Sequence, residues 1–181
     1  MGPAVKGCGH QPNLLQNTKM TEIFTVGYEG LTPRQFFGLI GSSKIRKLID
    51  VRELPLSRKK GFSKTALAGA CKRRGISYRH MPELGCPRHI RHEYREEGNW
   101  TTYTIQFKTH LSSQGKALAE LAKLAADEKA CLLCFERDFN FCHRTYVAQA
   151  MRHYAPRGLR VAHLTGPSEG RVVVMGRRLA A

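Results

Sequence analysis

The segment from Cys131 to Arg144, CLLCFERDFNFCHR, concentrates side chains that can do chemistry. A short apolar run ends at an acid, Glu136, and a polar, aromatic loop then leads to Cys142 and His143, where a helix is predicted to begin. In α/β proteins a buried parallel strand carries a charged residue to its carboxyl end, and the next helix starts beside it. Glu136 is therefore a candidate general base or charge stabiliser, and His143 is a candidate proton donor.

A second segment, KLIDVR at 47–52, repeats this arrangement, because it is apolar, then charged, and runs into a basic loop. Since the carboxyl ends of parallel strands lie at one edge of a sheet, we expect Asp50 and Glu136 to share one cleft. The first predicted strand brings a phenol and a third acid to the same edge. The residues expected to shape this site are Tyr28, Glu29, Arg52, Cys142 and Arg144.

The cysteines of the first segment allow two other interpretations. With His143 they follow a C-x2-C-x7-C-H spacing, which superficially fits zinc. However, Cys131 and Cys134 are three residues apart on a predicted strand and would face opposite sides, so we expect no metal and no cofactor. Cys142 could instead be a nucleophile at a helix N-terminus, where the helix dipole lowers the pKa of a thiol. The phosphatase pattern of a Cys and an Arg around a phosphate-binding loop is missing.

The charge of the chain indicates its partner. Thirty Lys and Arg oppose 14 Asp and Glu among 181 residues, which gives a net charge of +16. Residues 1–21 and 166–181 contribute +2 each, so +12 belongs to the central region. A folded domain this basic is expected to bind a polyanion, and nucleic acid is the most general one. No apolar run approaches the roughly 18 residues of a membrane span, so no membrane partner is expected.

Two segments could hold nucleic acid. The loop 54–64 is basic, and its hydroxyls and backbone amides can bind phosphate oxygens, while Phe62 could stack on a base. The segment 82–99 has no helix or strand periodicity, so we predict a long loop with basic and aromatic residues interleaved. The candidate nucleic-acid-binding residues are Ser57, Arg58, Lys59, Lys60, Phe62, Ser63, Lys64, Arg88, Arg91, Arg95 and Trp100.

Strands and helices alternate along the chain, which favours an α/β fold with a mainly parallel, Rossmann-like sheet. We predict a single compact three-layer domain over residues 21–165, preceded by a flexible basic tail, 1–20. Residues 166–181 are predicted to be a basic tail or an edge strand. Helical spacing extends from Thr101 to about Ala126, where Gly115 could break the helix. The predicted strands are Glu22–Val26, Lys47–Val51, Ile76–Met81, Cys131–Phe135 and Leu159–Leu164.

Three motifs, in order, resemble those of a known family. The first comprises DVR at 50–52, Pro55, SR at 57–58 and FSK at 62–64. The second, YRHMPELG at 78–85, is similar to a Y-x-H-L-P-x-L-G segment, and the third joins LCFE at 133–136 to CHR at 142–144. Together they resemble the domain of unknown function 488 family over about residues 22–165.

The resemblance implies a compact α/β fold with a site at the edge of the sheet. The chain departs from the family pattern at Glu29, where Ser is usual, and at Cys86, where a second Gly is usual. The resemblance supports a site that includes Asp50, Arg52, Glu136, Cys142, His143 and Arg144.

We expect an enzyme that acts on nucleic acid, DNA rather than RNA, as a metal-independent DNA-base N-glycosidase. Asp50 or Glu136 would activate water or stabilise a sugar cation, as carboxylates do in glycoside hydrolysis. His143 would protonate the leaving base. The extruded base would stack on an aromatic side chain such as Tyr28, Phe62 or Trp100.

Two alternatives remain open at this stage. One is a non-catalytic DNA- or RNA-binding module, and the other is a Cys-dependent enzyme on a nucleotide or small phosphorylated substrate. The N-terminus lacks a secretory signal, which predicts a cytoplasmic protein that associates with the nucleoid if it acts on DNA. The sequence does not indicate an oligomeric state.

Overall fold

A computed structural model describes residues 20–166 and 172–176, and within these ranges the chain forms one six-stranded sheet. The order of the strands across the sheet is β3-β2-β4-β1-β5-β6. The first five are parallel, and β6 pairs with β5 in the antiparallel direction. The strands are β1 (Thr21–Gly27), β2 (Lys47–Asp50), β3 (Ser77–His80), β4 (Ala130–Cys134), β5 (Leu159–Leu164) and β6 (Val172–Gly176).

Helices cover both faces of the sheet and produce the predicted three-layer α/β domain. Two separate apolar cores lie on the two faces: one includes Phe36, Phe62 and Leu67, and the other includes Phe107 and Leu121. The α-helices are α1 (Pro33–Ser42), α2 (Lys64–Lys72), α3 (Arg88–Glu97), α4 (Trp100–Ser112), α5 (Gly115–Asp127) and α6 (His143–Ala150), with 3-10 turns at Pro82–Leu84 and Met151–Tyr154.

The registers of β1, β2 and β4 bring chemically active residues to one edge. β4 lies between the other two strands, and all five of its residues are buried, as in a strand covered on both faces. Gly27 pairs with Cys134, and Asp50 pairs with Leu133. The loops after these three strands therefore leave the sheet side by side, as the sequence predicted.

The segment 82–99 is not the long loop that the sequence predicted. Ten of its residues form α3, which buries Ile90 and packs Tyr94 against the core. Gly98 ends the helix with a φ of 67°, a backbone conformation that glycine adopts without strain. Eight of the ten residues of this helix are charged or histidine. The prediction failed because the two others, Ile90 and Tyr94, are too few to give a helical periodicity of apolar residues.

The helical segment after Thr101 divides into α4 and α5 around Ser113 and Gln114, next to the predicted break at Gly115. The predicted tail over residues 1–20 lies outside the described residues except for Met20. The region 166–181 supplies the edge strand β6, and its remaining residues after Gly166 also lie outside the described part. No helix in the described ranges is long and apolar enough to cross a membrane.

Candidate functional site at the carboxyl edge of the sheet

Four side chains meet just beyond the end of β4. The Cys134 thiol donates to Oε2 of Glu136 at 2.7 Å, and the Cys142 thiol donates to the same oxygen at 3.1 Å. Nδ1 of His143 lies 3.5 Å from Sγ of Cys134. The two cysteines and the histidine are buried, and Glu136 is partly exposed. We call these four residues the Cys-His-Glu cluster.

The ring of His143 is fixed from two sides. Its Nε2 lies 2.9 Å from the carbonyl oxygen of Val51, and because a carbonyl only accepts, Nε2 carries the proton. Sγ of Cys134 lies 3.5 Å from Nδ1 and 3.7 Å from Nε2, so Nδ1 is the nearer nitrogen. Phe107 packs edge-on against the imidazole, with 5.5 Å between ring centroids. Both nitrogens are engaged, so this arrangement does not favour the predicted direct protonation of a base by His143.

Burial and charge alter the pKa values within the cluster. Burial, followed by the negative charge of Cys142, raises the pKa of Glu136. Burial by itself would raise the pKa of Cys142, but the hydrogen bond to Cys134 and the positive charges of Arg144 and His143 hold it well below its ordinary value. Burial opposes the charged form of His143 as well, yet Cys142 and Glu136 raise its pKa. Negative charge on Cys142 and positive charge on His143 thus stabilise each other, against the opposing effect of burial on both.

Arg144 fixes the loop that carries Glu136. The guanidinium group is buried and donates to the backbone carbonyls of Glu136 and Arg137, and its Nε donates to Thr25. Gly27 contributes by its lack of a side chain, because a Cβ there would lie 1.8 Å from the carbonyl oxygen of Glu136. Glu29 is exposed, and its carboxylate accepts from the backbone N–H of Arg137. Polar contacts thus hold the loop from both sides, from the buried Arg144 on one side and from the exposed Glu29 on the other.

Asp50 belongs to a separate buried network. One carboxylate oxygen accepts from Nε of Arg52 at 2.8 Å, and the other accepts from Nη2 of Arg52 at 2.5 Å and from the Tyr78 hydroxyl at 2.6 Å. Arg52 also donates to the Tyr28 hydroxyl at 2.9 Å. Asp50 is fully buried, and both of its oxygens are occupied. The geometry therefore favours a structural role for Asp50 over the predicted catalytic one.

Two of the predicted stacking residues are not on the surface. Phe62 is fully buried and lies parallel to the ring of Tyr28, which is 2% exposed, with 4.4 Å between centroids. The prediction that either ring stacks on a base is therefore wrong for this conformation, since both already pack in the core. Trp100 is half-buried and stacks on Tyr103 at 4.7 Å, so it too is largely occupied by packing.

The loop 54–64 uses some of its predicted binding residues to fold itself. The Ser63 hydroxyl donates to the carbonyl of Ser57 and accepts from its N–H, and the Ser57 hydroxyl accepts from the N–H of Lys59. The ammonium group of Lys59 lies 5.8 Å from the centroid of the Phe62 ring. The predicted binding residues of this loop that remain exposed are Arg58, Lys60 and Lys64.

Helix α3 is less basic than the prediction required, because it contains three arginines and three glutamates. Arg91 forms an ion pair with Glu53, and the Arg88 N–H donates to the same carboxylate. Arg88 and Arg95 have exposed side chains. The helix is therefore near neutral in net charge, which makes it less suited to binding phosphates than the sequence predicted.

The structure exposes apolar side chains that the sequence interpretation missed. Leu54 and Leu56 follow β2 and are 55% and 78% exposed, and Phe135 and Phe141 follow β4 and are 44% and 56% exposed. Both pairs lie on loops that follow strands at the carboxyl edge, and Phe135 is adjacent to Glu136 in sequence. The available sequence signal was their position directly after predicted strands, where an apolar residue has no core to enter.

A basic groove of about 650 Å³ between α1 and α2 was also missed. Arg34, Arg73 and Arg74 line it, no acidic residue does, and Gly61 of the loop 54–64 forms part of its wall. The guanidinium of Arg74 lies over the ring of Phe37 at 4.1 Å. Arg34 lies on α1, and Arg73 and Arg74 follow the end of α2, so their sequence positions alone did not reveal the groove.

The protein is therefore of the α/β class. Its candidate site lies where the parallel strands end, and there two buried thiols and an imidazole meet the side chain of a glutamate. The chain belongs to the family described as Domain of unknown function DUF488, which it matches over residues 32–151. This match covers β2, β4 and all four members of the Cys-His-Glu cluster. Comparison with curated proteins and with solved structures gives no match.

Proposed function

We propose that this protein is a nucleic-acid hydrolase that removes a base by cleaving its N-glycosidic bond, with DNA as the preferred substrate. The observation that carries the proposal is the position of Glu136. It is the one partly exposed member of the Cys-His-Glu cluster, at a sheet edge where exposed apolar side chains and a basic loop adjoin it. In glycoside hydrolysis, carboxylates stabilise the oxocarbenium-like transition state of the sugar and activate water.

The surroundings of Glu136 suit an unpaired base. Phe135 and Phe141 offer exposed aromatic faces on its own loop, and base–aromatic stacking contributes about 1–3 kcal/mol per base. The loop 54–64 adjoins this surface, because the ring of Tyr28 contacts both Phe62 at 4.4 Å and Phe135 at 5.4 Å. Exposed Arg58, Lys60 and Lys64 on that loop would hold backbone phosphates beside the base.

In the proposed step, the Glu136 carboxylate accepts a proton from a water molecule as the water oxygen bonds to C1′ of the sugar. The C1′–N bond breaks, and its electron pair stays with the base nitrogen. The proton held by Glu136 then passes to the departing base, so the products are a free base and an abasic sugar. His143 contributes by orienting the cluster, since both of its nitrogens already have partners.

A cleavage assay tests this proposal. Labelled oligonucleotides with normal, deaminated, methylated and oxidised bases, single- and double-stranded, are incubated with the protein and then with alkali to reveal abasic sites. We expect cleavage of at least one substrate and its loss in Glu136→Gln. Asp138→Asn is the matched control, because Asp138 lies exposed on the same loop and its substitute keeps an oxygen for the N–H of Asn140.

Two results would contradict the proposal. Salt-sensitive binding without product on every substrate would favour the non-catalytic binding module. Cleavage that persists in Glu136→Gln but disappears in Cys142→Ser would favour the thiol-dependent alternative, because only that mechanism requires the sulfur as a nucleophile.

A further inference from the structure

We infer that the Cys-His-Glu cluster is a binding site for a divalent transition metal, and that Zn²⁺ is the ion it fits best. The inference goes beyond the proposed function and does not depend on it, because it concerns what these four side chains bind and not which substrate they serve. Nothing in the family description assigns a metal to this chain.

The geometry of the four donor atoms carries the inference. One ligand atom from each of Cys134, Glu136, Cys142 and His143 can be chosen so that all lie within 4.8 Å of one another. Tetrahedral zinc has bonds of about 2.3 Å to sulfur and about 2.0–2.2 Å to nitrogen or oxygen, so its ligand atoms lie roughly 3.3–3.8 Å apart. Of the observed contacts, the one of 3.5 Å falls within this range, and those of 3.1 and 2.7 Å fall about 0.2 and about 0.6 Å below it, so binding requires small shifts of the side chains.

The surroundings of His143 match those of a metal ligand. A ligating histidine characteristically donates its second ring N–H to a carbonyl or carboxylate, which fixes the tautomer. Here Nε2 donates to the carbonyl of Val51 at 2.9 Å, and Sγ of Cys134 lies 3.5 Å from Nδ1 and 3.7 Å from Nε2. The outer contact thus leaves Nδ1, the nitrogen nearer to Cys134, as the one with a lone pair for a metal.

The ligands lie on elements that are already fixed. Cys134 ends β4, Cys142 is the residue that begins α6, and Arg144 binds the intervening loop through two backbone carbonyls. The buried guanidinium also supplies positive charge beside a site that would hold two thiolates and a carboxylate with one dication. Little reorganisation is therefore needed on binding.

The donor set selects the class of metal. Thiolate and imidazole ligands suit Zn²⁺, whereas Mg²⁺ and Ca²⁺ prefer oxygen donors. Three donors are buried and the fourth, Glu136, is partly exposed, so water could replace the carboxylate at one position. Three protein ligands with one exchangeable position are typical of catalytic zinc, and closed sets are typical of structural zinc.

Cys131 takes no part in the cluster, as its sequence position predicted, but a donor that the cysteine spacing did not include completes the set. The Cys131 side chain is buried in the core on the α1 and α2 face of the sheet, as its position three residues before Cys134 required. The fourth donor is instead Glu136, two residues after Cys134, beyond the end of the strand. Cys131 therefore offers a matched control for the experiment.

The test uses the full chain without a histidine tag. Zinc content is measured after dialysis, and zinc affinity is measured by competition with a chelator, for the wild type, Cys134→Ser, Cys142→Ser and Cys131→Ala. We expect one zinc ion per wild-type chain and per Cys131→Ala chain. Each Ser variant should lose more affinity than the roughly 10- to 100-fold that changes to outer contacts of a metal ligand cost.

A second measurement uses the wild-type protein alone, so it tests the inference even if the Ser variants fold poorly. In the wild-type protein, zinc should slow the reaction of two thiols with a thiol reagent, and Co²⁺ should give thiolate charge-transfer absorption. Absence of stoichiometric zinc in the wild type, or equal zinc loss in Cys131→Ala, would overturn the inference, as would wild-type thiols that react equally fast with and without zinc. Because none of these readouts uses nucleic acid, the outcome is separate from that of the cleavage assay.

Discussion

At the scale of single residues, the two predicted catalytic acids have different surroundings. Asp50 is fully buried and pairs with Arg52 and Tyr78, whereas Glu136 is partly exposed and contacts two thiols. The hydrogen bond and charge of Asp50 also help to raise the pKa of Arg52, against the opposing effect of burial. A carboxylate in such a pair orients its partner, so Asp50 supports the edge of the sheet, whereas the Glu136 side chain keeps part of its surface open to solvent.

Replacing Asp50 with Asn should therefore reduce stability strongly. The substitution leaves the buried guanidinium of Arg52 without its counter-charge, and breaking a buried ion pair costs about 3–5 kcal/mol. Chemical denaturation of the wild type and the variant measures the difference in the free energy of unfolding. Glu120→Gln, which removes the exposed pair with Arg79, is the control and should cost less than about 1 kcal/mol. Equal effects of the two substitutions would contradict the structural role of Asp50.

At the scale of elements, the site depends on how closely β1 and the loop after β4 approach each other. The Tyr28 N–H donates to the carbonyl of Cys134, and the Glu29 N–H donates to the carbonyl of Phe135. The segments that follow β1 and β4 therefore continue to pair beyond the sheet. Gly27 is the point of closest approach. A side chain at this position would displace the backbone of Glu136 and therefore the whole cluster.

Gly27→Ala should destabilise the protein, because the added Cβ would lie 1.8 Å from a backbone oxygen that Arg144 already holds. We expect a loss of at least the roughly 1–3 kcal/mol that overpacking costs, measured by thermal or chemical denaturation. Gly38→Ala is the matched control, because Gly38 lies inside α1 with open space around its Cβ position. That variant should gain about 0.5–1 kcal/mol from helix propensity. A neutral Gly27→Ala would show that the loop moves freely.

At the scale of the whole molecule, positive charge is concentrated on particular surfaces. The exposed cations of the loop 54–64 adjoin the groove between α1 and α2, which three arginines line. Helix α3, in contrast, balances its arginines with glutamates. A polyanion is therefore expected to cross the loop 54–64 and the α1–α2 groove, and not the surface of α3.

This distribution predicts the salt dependence of nucleic-acid binding. Each phosphate contact contributes about 0.9 to the slope of log K against log salt for duplex DNA, so the double variant Lys60→Gln, Lys64→Gln should reduce the slope by roughly 2. Affinities for one duplex are measured by fluorescence anisotropy at several salt concentrations. Lys123→Gln, an exposed change on α5, should leave the slope unaltered. An unchanged slope in the double variant would place the contact surface elsewhere.

The sequence by itself determined the parallel α/β sheet and the edge at which the site lies. The segments KLIDV at 47–51, with three apolar residues, and CLLCF at 131–135 predict buried strands because burial on both faces favours nearly continuous apolar residues. A residue that follows such a strand must then lie at the carboxyl edge, so Glu136 and Asp50 were identified from local order alone. The capping residue Thr32 before Pro33 likewise determined where α1 begins.

The tertiary structure alone decided what each of these side chains does. Whether Asp50 is paired, Phe62 buried or Cys134 close to His143 depends on contacts between residues that are far apart in sequence. Helix α3 escaped prediction because few of its residues face the core, so the packing that stabilises it leaves little periodicity. Local order sets the elements, but burial and charge pairing arise only when separate elements meet, and these determine the chemistry of the site.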